Sequence, residues 1–331
     1  MKALRTARLV ETLFAKDIAQ RATRDGYGDG LVEVGAKNPN VVVLCGDLKE
    51  STRAEWFEKK YPERFVECGI SEQNMAAMAA GLALSGKIPF VATYAVFCPG
   101  RNWDQVRISI CYQNANVKLS GAHAGISVGP DGATHQAMED IAITRVLPNM
   151  TVIAPCDAEE TRKAVHAAAE IRGPVYLRFA RHKTPVFTTP KTPFRIGKAL
   201  VLTEGSDAGI IACGPIVYSA LEAARQLSEK GIGVRVIDMA TVKPLDGATI
   251  QKAAWDTGAI VTAEEHQRHG GLGGAVAEAL TSQGPVVPQE FVAMPDHFGE
   301  SGQPDELLAH YGMDADALVA AVHRVIKRKR G

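Results

Sequence analysis

Glu72 opens the run Glu72-Gln73-Asn74-Met75-Ala76-Ala77-Met78-Ala79-Ala80-Gly81, an acid at the mouth of a helical pattern that is otherwise mostly small or apolar. Desolvation penalises a buried carboxylate, so such a group needs a partner or a task. Thr93-Tyr94-Ala95-Val96-Phe97 sets two aromatics three apart, directly after a β-branched run. Rings at a strand end can stack on a flat heterocycle, or simply fill a core. A glycine-rich stretch from Ser120 to Gln136 carries His123, Asp131 and His135. Long ordered loops in compact domains are often functional, and two histidines with an acid suit hydrogen bonding to a polyhydroxylated substrate. No third histidine stands at metal-ligand spacing, so no metal site is expected. Arg24, Arg178 and Arg181 are isolated cations of the type that holds phosphate, but sequence order alone does not bring them together.

Two glycine motifs carry less. Gly28-Asp29-Gly30 would open a metal and diphosphate site if a buried strand preceded it and an asparagine followed between Ala54 and Tyr61. Neither condition holds, and the triplet reads as a turn. Gly270-Gly271-Leu272-Gly273-Gly274 stands between a strand and a helix, where it could cradle phosphate. It lacks both the dinucleotide-binding register and a following P-loop lysine, so close packing of helix on sheet is the better reading.

The elements that must position these residues alternate. Strands are expected at 41–44, 88–91, 117–120, 151–154 and 175–178, with helices near 72–84, 101–113, 137–146 and 158–170. A proline-rich stretch, 182–195, reads as an extended linker. Beyond it come strands at 210–213, 234–237, 259–262 and 291–294 and helices near 215–230, 272–283 and 314–328. Such alternation predicts an α/β chain of two domains with mostly parallel sheets. The expected division is 1–181, the 182–195 linker and 196–331.

Composition narrows the class. With 331 residues, 46% hydrophobic and 22% charged, the chain can bury two sizeable cores. A formal net charge of zero gives no global field toward nucleic acid or membrane, and neither is expected as a partner. The basic run Lys327-Arg328-Lys329-Arg330 reads as a solvated tail. Six cysteines lie in apolar runs with no Cys-x-x-Cys pair, which fits reduced thiols in the cytoplasm. The N-terminus lacks the apolar core of a signal peptide, and the longest apolar stretch, around Met75 to Leu84, is too short to span a bilayer.

Taken in order, Gly69 to Asn74, Thr93 to Phe97 and His123 to Gln136 resemble the pyrimidine-binding (PYR) half of a transketolase. The resemblance continues through Leu147 to Met150 and Ala154 to Asp157 as far as Arg181. It then covers the family's C-terminal domain through Val242 to Asp246 and Glu264-Glu265-His266. It implies that Glu72 hydrogen-bonds N1′ of the thiamine diphosphate aminopyrimidine and promotes ionisation of the cofactor. Tyr94 and Phe97 match the aromatics packed on that ring, and Asp47 matches an acid near the cofactor. His123 and His135 match histidines that contact donor hydroxyls, and Asp131 an acid that reads one of them. Arg24, Ser51 and Arg181 match positions that hold the substrate phosphate. Arg178 has no counterpart.

The departure from the family is equally informative. A complete transketolase is about twice this length, and the half that carries Mg2+ and diphosphate is missing here. The resemblance therefore implies the C-terminal subunit of a split transketolase. An N-terminal subunit would supply the metal and diphosphate site in an α2β2 assembly. The implied reaction moves a two-carbon ketol unit from a ketose phosphate to an aldose phosphate. A 1-deoxyxylulose-5-phosphate synthase-like chain is the nearest alternative, but it typically has arginine where His123 stands. A 2-oxoacid dehydrogenase β-type subunit has no use for the histidine loop, and a non-catalytic subunit would not need Glu72.

Overall fold

Every β-branched run read from the sequence forms a strand in the computed structural model, which describes residues 3–330. In chain order the strands are β1 (Gln20–Ala22), β2 (Val41–Cys45), β3 (Phe65–Glu67), β4 (Ile88–Tyr94), β5 (Lys118–Ala122), β6 (Thr151–Ile153) and β7 (Val175–Phe179). They continue as β8 (Lys183–Pro185), β9 (Leu200–Val201), β10 (Ala208–Ala212), β11 (Val234–Asp238), β12 (Thr241–Lys243), β13 (Ile260–Gln267) and β14 (Gln289–Met294). The first sheet has the order β12-β6-β7-β5-β4-β2-β3 and is parallel except where β12 meets β6. The second has the order β14-β13-β10-β11-β9 and is parallel except where β9 meets β11. Strands β2, β5, β7 and β10 are buried along their whole length, as expected of parallel strands covered on both faces. The chain is thus α/β with two mostly parallel sheets.

Helices Glu72–Leu84 and Ala158–Glu170 occupy the spans that their periodicity predicts. Two others are shorter. The 101–113 helix is a turn of α-helix, Trp103–Gln105, running into a π-helical stretch, Val106–Tyr112. The 137–146 helix is only Asp140–Arg145, because residues 136–138 are tied into the preceding loop through the Gln136 amide and the Ala137 N–H.

Gly28-Asp29-Gly30 is not a turn. It lies inside the helix Thr23–Lys37. A Cβ on Gly30 would stand 2.7 Å from Cβ of Val165, and one on Gly26 would stand 1.9 Å from the Ala158 carbonyl oxygen. Glycine therefore lets this helix lie directly on Ala158–Glu170, and that packing outweighs its poor helix propensity. The Gly270–Gly274 run does pack a helix on a sheet. A Cβ on Gly273 would meet the Phe291 ring at 2.5 Å, and Glu264 accepts the N–H groups of Leu272 and Gly273 at the start of helix Leu272–Gln283.

Packing crosses the sequence-based division at several points. The 182–195 segment contains β8, which pairs with β1, and Asp157 accepts the N–H groups of Phe187 and Thr188. The N-terminal segment runs along the second sheet, with Leu4 N–H donating to the Leu202 carbonyl. Strand β12, from the second half of the chain, forms the edge of the first sheet. One apolar cluster joins Val91, Leu119 and Tyr176 with Ile211, Ile237 and Ile260, so the two sheets share a core. Among the described residues no helix is long and apolar enough to cross a membrane.

Candidate active site

The carboxyl ends of the parallel strands of the first sheet converge on one edge, the usual ligand-binding edge of an open α/β sheet. Asp47 follows β2, Tyr94 ends β4, His123 follows β5 and Arg181 lies two residues beyond β7. The loop after β3 leads to Glu72, the first residue of its helix. That loop is fixed by Glu67, whose carboxylate accepts the N–H groups of Asp47 at 2.8 Å and Gly69 at 2.9 Å. A Cβ on Gly46 would stand 3.7 Å from Oε1 of Glu72, so the tip of β2 and Glu72 share one corner.

Glu72 is only 1% exposed, and its Oε2 accepts a 2.7 Å bond from Nη1 of Arg101. Its carbonyl accepts from the Asn102 amide at 3.1 Å. The rings of Tyr94 and Phe97 lie 9° from parallel with centroids 6.0 Å apart. His123 stacks on Tyr94 at 4.1 Å, and His135 meets Tyr94 and Phe97 edge-on at 6.1 and 5.7 Å. The four aromatic candidates thus form a single cluster.

His123 is fully buried and has a left-handed backbone, with φ 56°. Burial, then the neighbouring Arg24 and Arg181 cations, push its pKa down to about 2, so the imidazole is neutral. Its Nε2 lies 3.4 Å from Nη1 of Arg24, and its Nδ1 has no partner among the described residues. As the acceptor from arginine, Nε2 leaves Nδ1 as an unused donor, a tautomer assigned from the hydrogen-bond geometry.

Arg24 also donates to the Ser51 carbonyl at 2.9 Å, so Ser51 enters through its backbone. Burial, then Arg53, lowers the pKa of Arg24. Arg181 donates 2.9 Å to Asp131 and 3.1 Å to the Val128 carbonyl. Asp47 is exposed and has a positive φ of 59°. Arg178 stands apart in a buried ion pair with Asp140.

Two site residues are missed by sequence reasoning. Arg101 looks like the start of a helix, yet it reaches back to Glu72. Arg53 is not singled out in the sequence, yet its charge lowers the pKa of both Arg24 and His123. The only sequence signal for Arg101 is its place four residues after Phe97 across a Pro-Gly turn.

The site offers a shielded carboxylate joined through Arg101 to an aromatic face, two imidazoles and a set of arginines. It can hold a flat nitrogen heterocycle at Glu72 and Phe97, and an anionic, hydroxylated ligand at the histidines and arginines. Separately, Cys156, Glu160 and Asp238 bring ligand-type atoms within 4.8 Å of one another in a buried cluster between the sheets.

Two family models match the chain. The transketolase pyrimidine-binding domain matches residues 19–186 and the transketolase C-terminal domain residues 197–318. The chain is 44% identical to a putative transketolase C-terminal section from Methanocaldococcus jannaschii, covering 93% of this chain and 98% of that protein. It is 41% identical to one of the subunits of an apulose-4-phosphate transketolase from Phocaeicola vulgatus, covering 93% and 98%. A solved structure described as a split-gene transketolase in an inactive β4 tetramer superposes with a TM-score of 0.88 at 49% identity, over 93% and 99% of the two chains. Domain models, full-length relatives and fold thus agree with the motif order, and the chain belongs to the transketolase family, whose members depend on thiamine diphosphate.

Proposed function

We propose that this chain is the C-terminal subunit of a two-chain transketolase that transfers a two-carbon ketol unit from a ketose phosphate to an aldose phosphate. The observation that carries this reading is Glu72, a shielded carboxylate joined through Arg101 to the face of Phe97, which is stacked with Tyr94. Those groups fit the aminopyrimidine of thiamine diphosphate. Glu72 would hold a proton at ring nitrogen N1′, while Phe97 and Tyr94 would pack on the ring and Asp47 would line its edge. When bound, the cofactor supplies the carbon nucleophile.

The chain's remaining groups handle the sugar. Neutral His123 donates from Nδ1, and His135 and Asp131 complete a set of hydroxyl-binding groups. Arg24, the Ser51 loop and Arg181 hold the phosphate. No residue of this chain is assigned to Mg2+ or diphosphate; both are assigned to an N-terminal partner subunit in an α2β2 complex. Exposed apolar side chains near Glu72 support such a partner. Ile70, Met78 and Leu84 are exposed on and just before the Glu72 helix, and Ile108 and Tyr112 on the π-helical stretch packed against it. Exposed apolar side chains gathered on neighbouring elements fit a protein–protein contact. The relatives described as a C-terminal section, a transketolase subunit and an inactive β4 assembly agree with it.

The test is reconstitution with the N-terminal subunit, thiamine diphosphate and Mg2+, using ketose phosphate and aldose phosphate substrates. Glu72→Ala is expected to lower turnover by about 10²–10⁴-fold, the span of lost proton-transfer assistance. Undiminished turnover would remove Glu72 from catalysis, and with it the main support for this reading.

A further inference from the structure

Arg101 does in this chain what the proposed cofactor ring would do. Its guanidinium donates 2.7 Å to Oε2 of Glu72 and lies over the face of Phe97, 4.4 Å from the ring centroid. A guanidinium is planar, offers N–H donors at its edge and stacks on aromatic rings. An aminopyrimidine is a flat ring that meets a carboxylate through its edge and an aromatic through its face. Such a ring would draw on the Glu72 carboxylate and the Phe97 face that Arg101 now engages, so the two compete for the same groups.

The two partners of this bond differ sharply in freedom. Glu72 is buried to 1%, while the Arg101 side chain is 43% exposed. Among the described residues Arg101 makes no other side-chain hydrogen bond or ring contact. The long side chain can therefore leave for solvent without unpacking anything. The carboxylate it leaves behind would be costly to bury unpaired. By contrast, Arg178 is held on all sides and cannot exchange.

We propose that Arg101 is a placeholder for the thiamine aminopyrimidine. It neutralises Glu72 and covers Phe97 while the chain is alone, and it is displaced when cofactor and partner subunit close the site. This inference rests on the functional reading above, because it assumes the ring that Glu72 receives. Displacement breaks a charge-assisted bond, so the placeholder weakens cofactor binding by about tenfold.

The experiment measures the Kd of thiamine diphosphate with Mg2+ for the complex with the N-terminal subunit, by calorimetry or fluorescence quenching. Arg101→Gln is expected to bind about tenfold more tightly than wild type, and Arg101→Lys by a smaller factor, since lysine keeps the charge but covers Phe97 poorly. Equal or weaker binding by Arg101→Gln would overturn the placeholder and make Arg101 a supporting contact of the holoenzyme. If Arg101→Gln fails to assemble, Arg101→Lys decides in the same way. No binding by the wild-type complex would instead sink the functional reading, and the placeholder with it.

Discussion

Arg181 and His123 show how one residue can be prepared for a ligand. Arg181 now pairs with Asp131 at 2.9 Å on a partly exposed surface, a contact that an incoming phosphate can rearrange at little cost. Arg181→Ala in the reconstituted complex is expected to raise KM for a phosphorylated donor by about a hundredfold. A similar rise for the unphosphorylated analogue would remove the phosphate role. His123 carries a second prediction, on pH. Its folded pKa is about 2, against 6.5 for an ordinary histidine. Between these values the unfolded chain binds the proton and the folded chain does not, so stability falls as pH drops below 6.5. The His123 imidazole is expected to show no NMR titration between pH 5 and 9, and His123→Asn to flatten the acid loss of stability. A titration near 6.5 would contradict its burial. The type and loop of this histidine are legible in the sequence. Its tautomer is not, because Arg24, which selects it, stands 99 residues away in the chain.

At the scale of elements, strands and amphipathic helices follow the hydrophobic period, while glycine-rich and short elements do not. The Thr23–Lys37 helix is hidden in the sequence because its glycines argue for a turn until the neighbouring helix is in place to need them. Strand β12 is hidden because three residues carry no period. Where β11 ends, Asp238 lies against Cys156 and against Glu160, from the first turn of the Ala158–Glu170 helix, in a buried cluster. Burial, then repulsion from Glu160, raises the Asp238 pKa well above its ordinary value of 3.8. The folded chain therefore retains a proton that the unfolded chain releases, and stability falls as pH rises above 3.8 toward the folded value. Asp238→Asn is expected to raise Tm at pH 8 by about 2–4 °C, roughly 1 kcal/mol, with the gain vanishing toward pH 4. Thermal melting across that range checks it; a loss of stability at pH 8 would show that ionising Asp238 costs the fold nothing.

At the scale of the whole molecule, the two sheets are joined through Arg178. It donates to Asp140 at 2.8 Å and to the Glu265 carbonyl at 2.6 Å, while the Tyr176 hydroxyl donates to Asp140 at 2.8 Å. Removing one partner of a buried pair strands the other charge. Arg178→Ala is expected to cost about 3–5 kcal/mol and lower Tm by roughly 10 °C, read by calorimetry. A paired Arg178→Met, Asp140→Leu replacement should recover most of the loss; failure to recover would point to the Glu265 contact instead. Period, turn chemistry and motif order are local properties, so the sequence by itself determined the α/β class, most strands and the set Glu72, Tyr94, Phe97, His123, Asp131 and His135. Convergence depends on strand order and on how far each side chain reaches, which no local pattern encodes. Only the tertiary structure decided that Arg24 meets His123, that Arg178 joins the sheets rather than the site, and that Arg101 lies over Phe97 on the carboxylate that opens the helix.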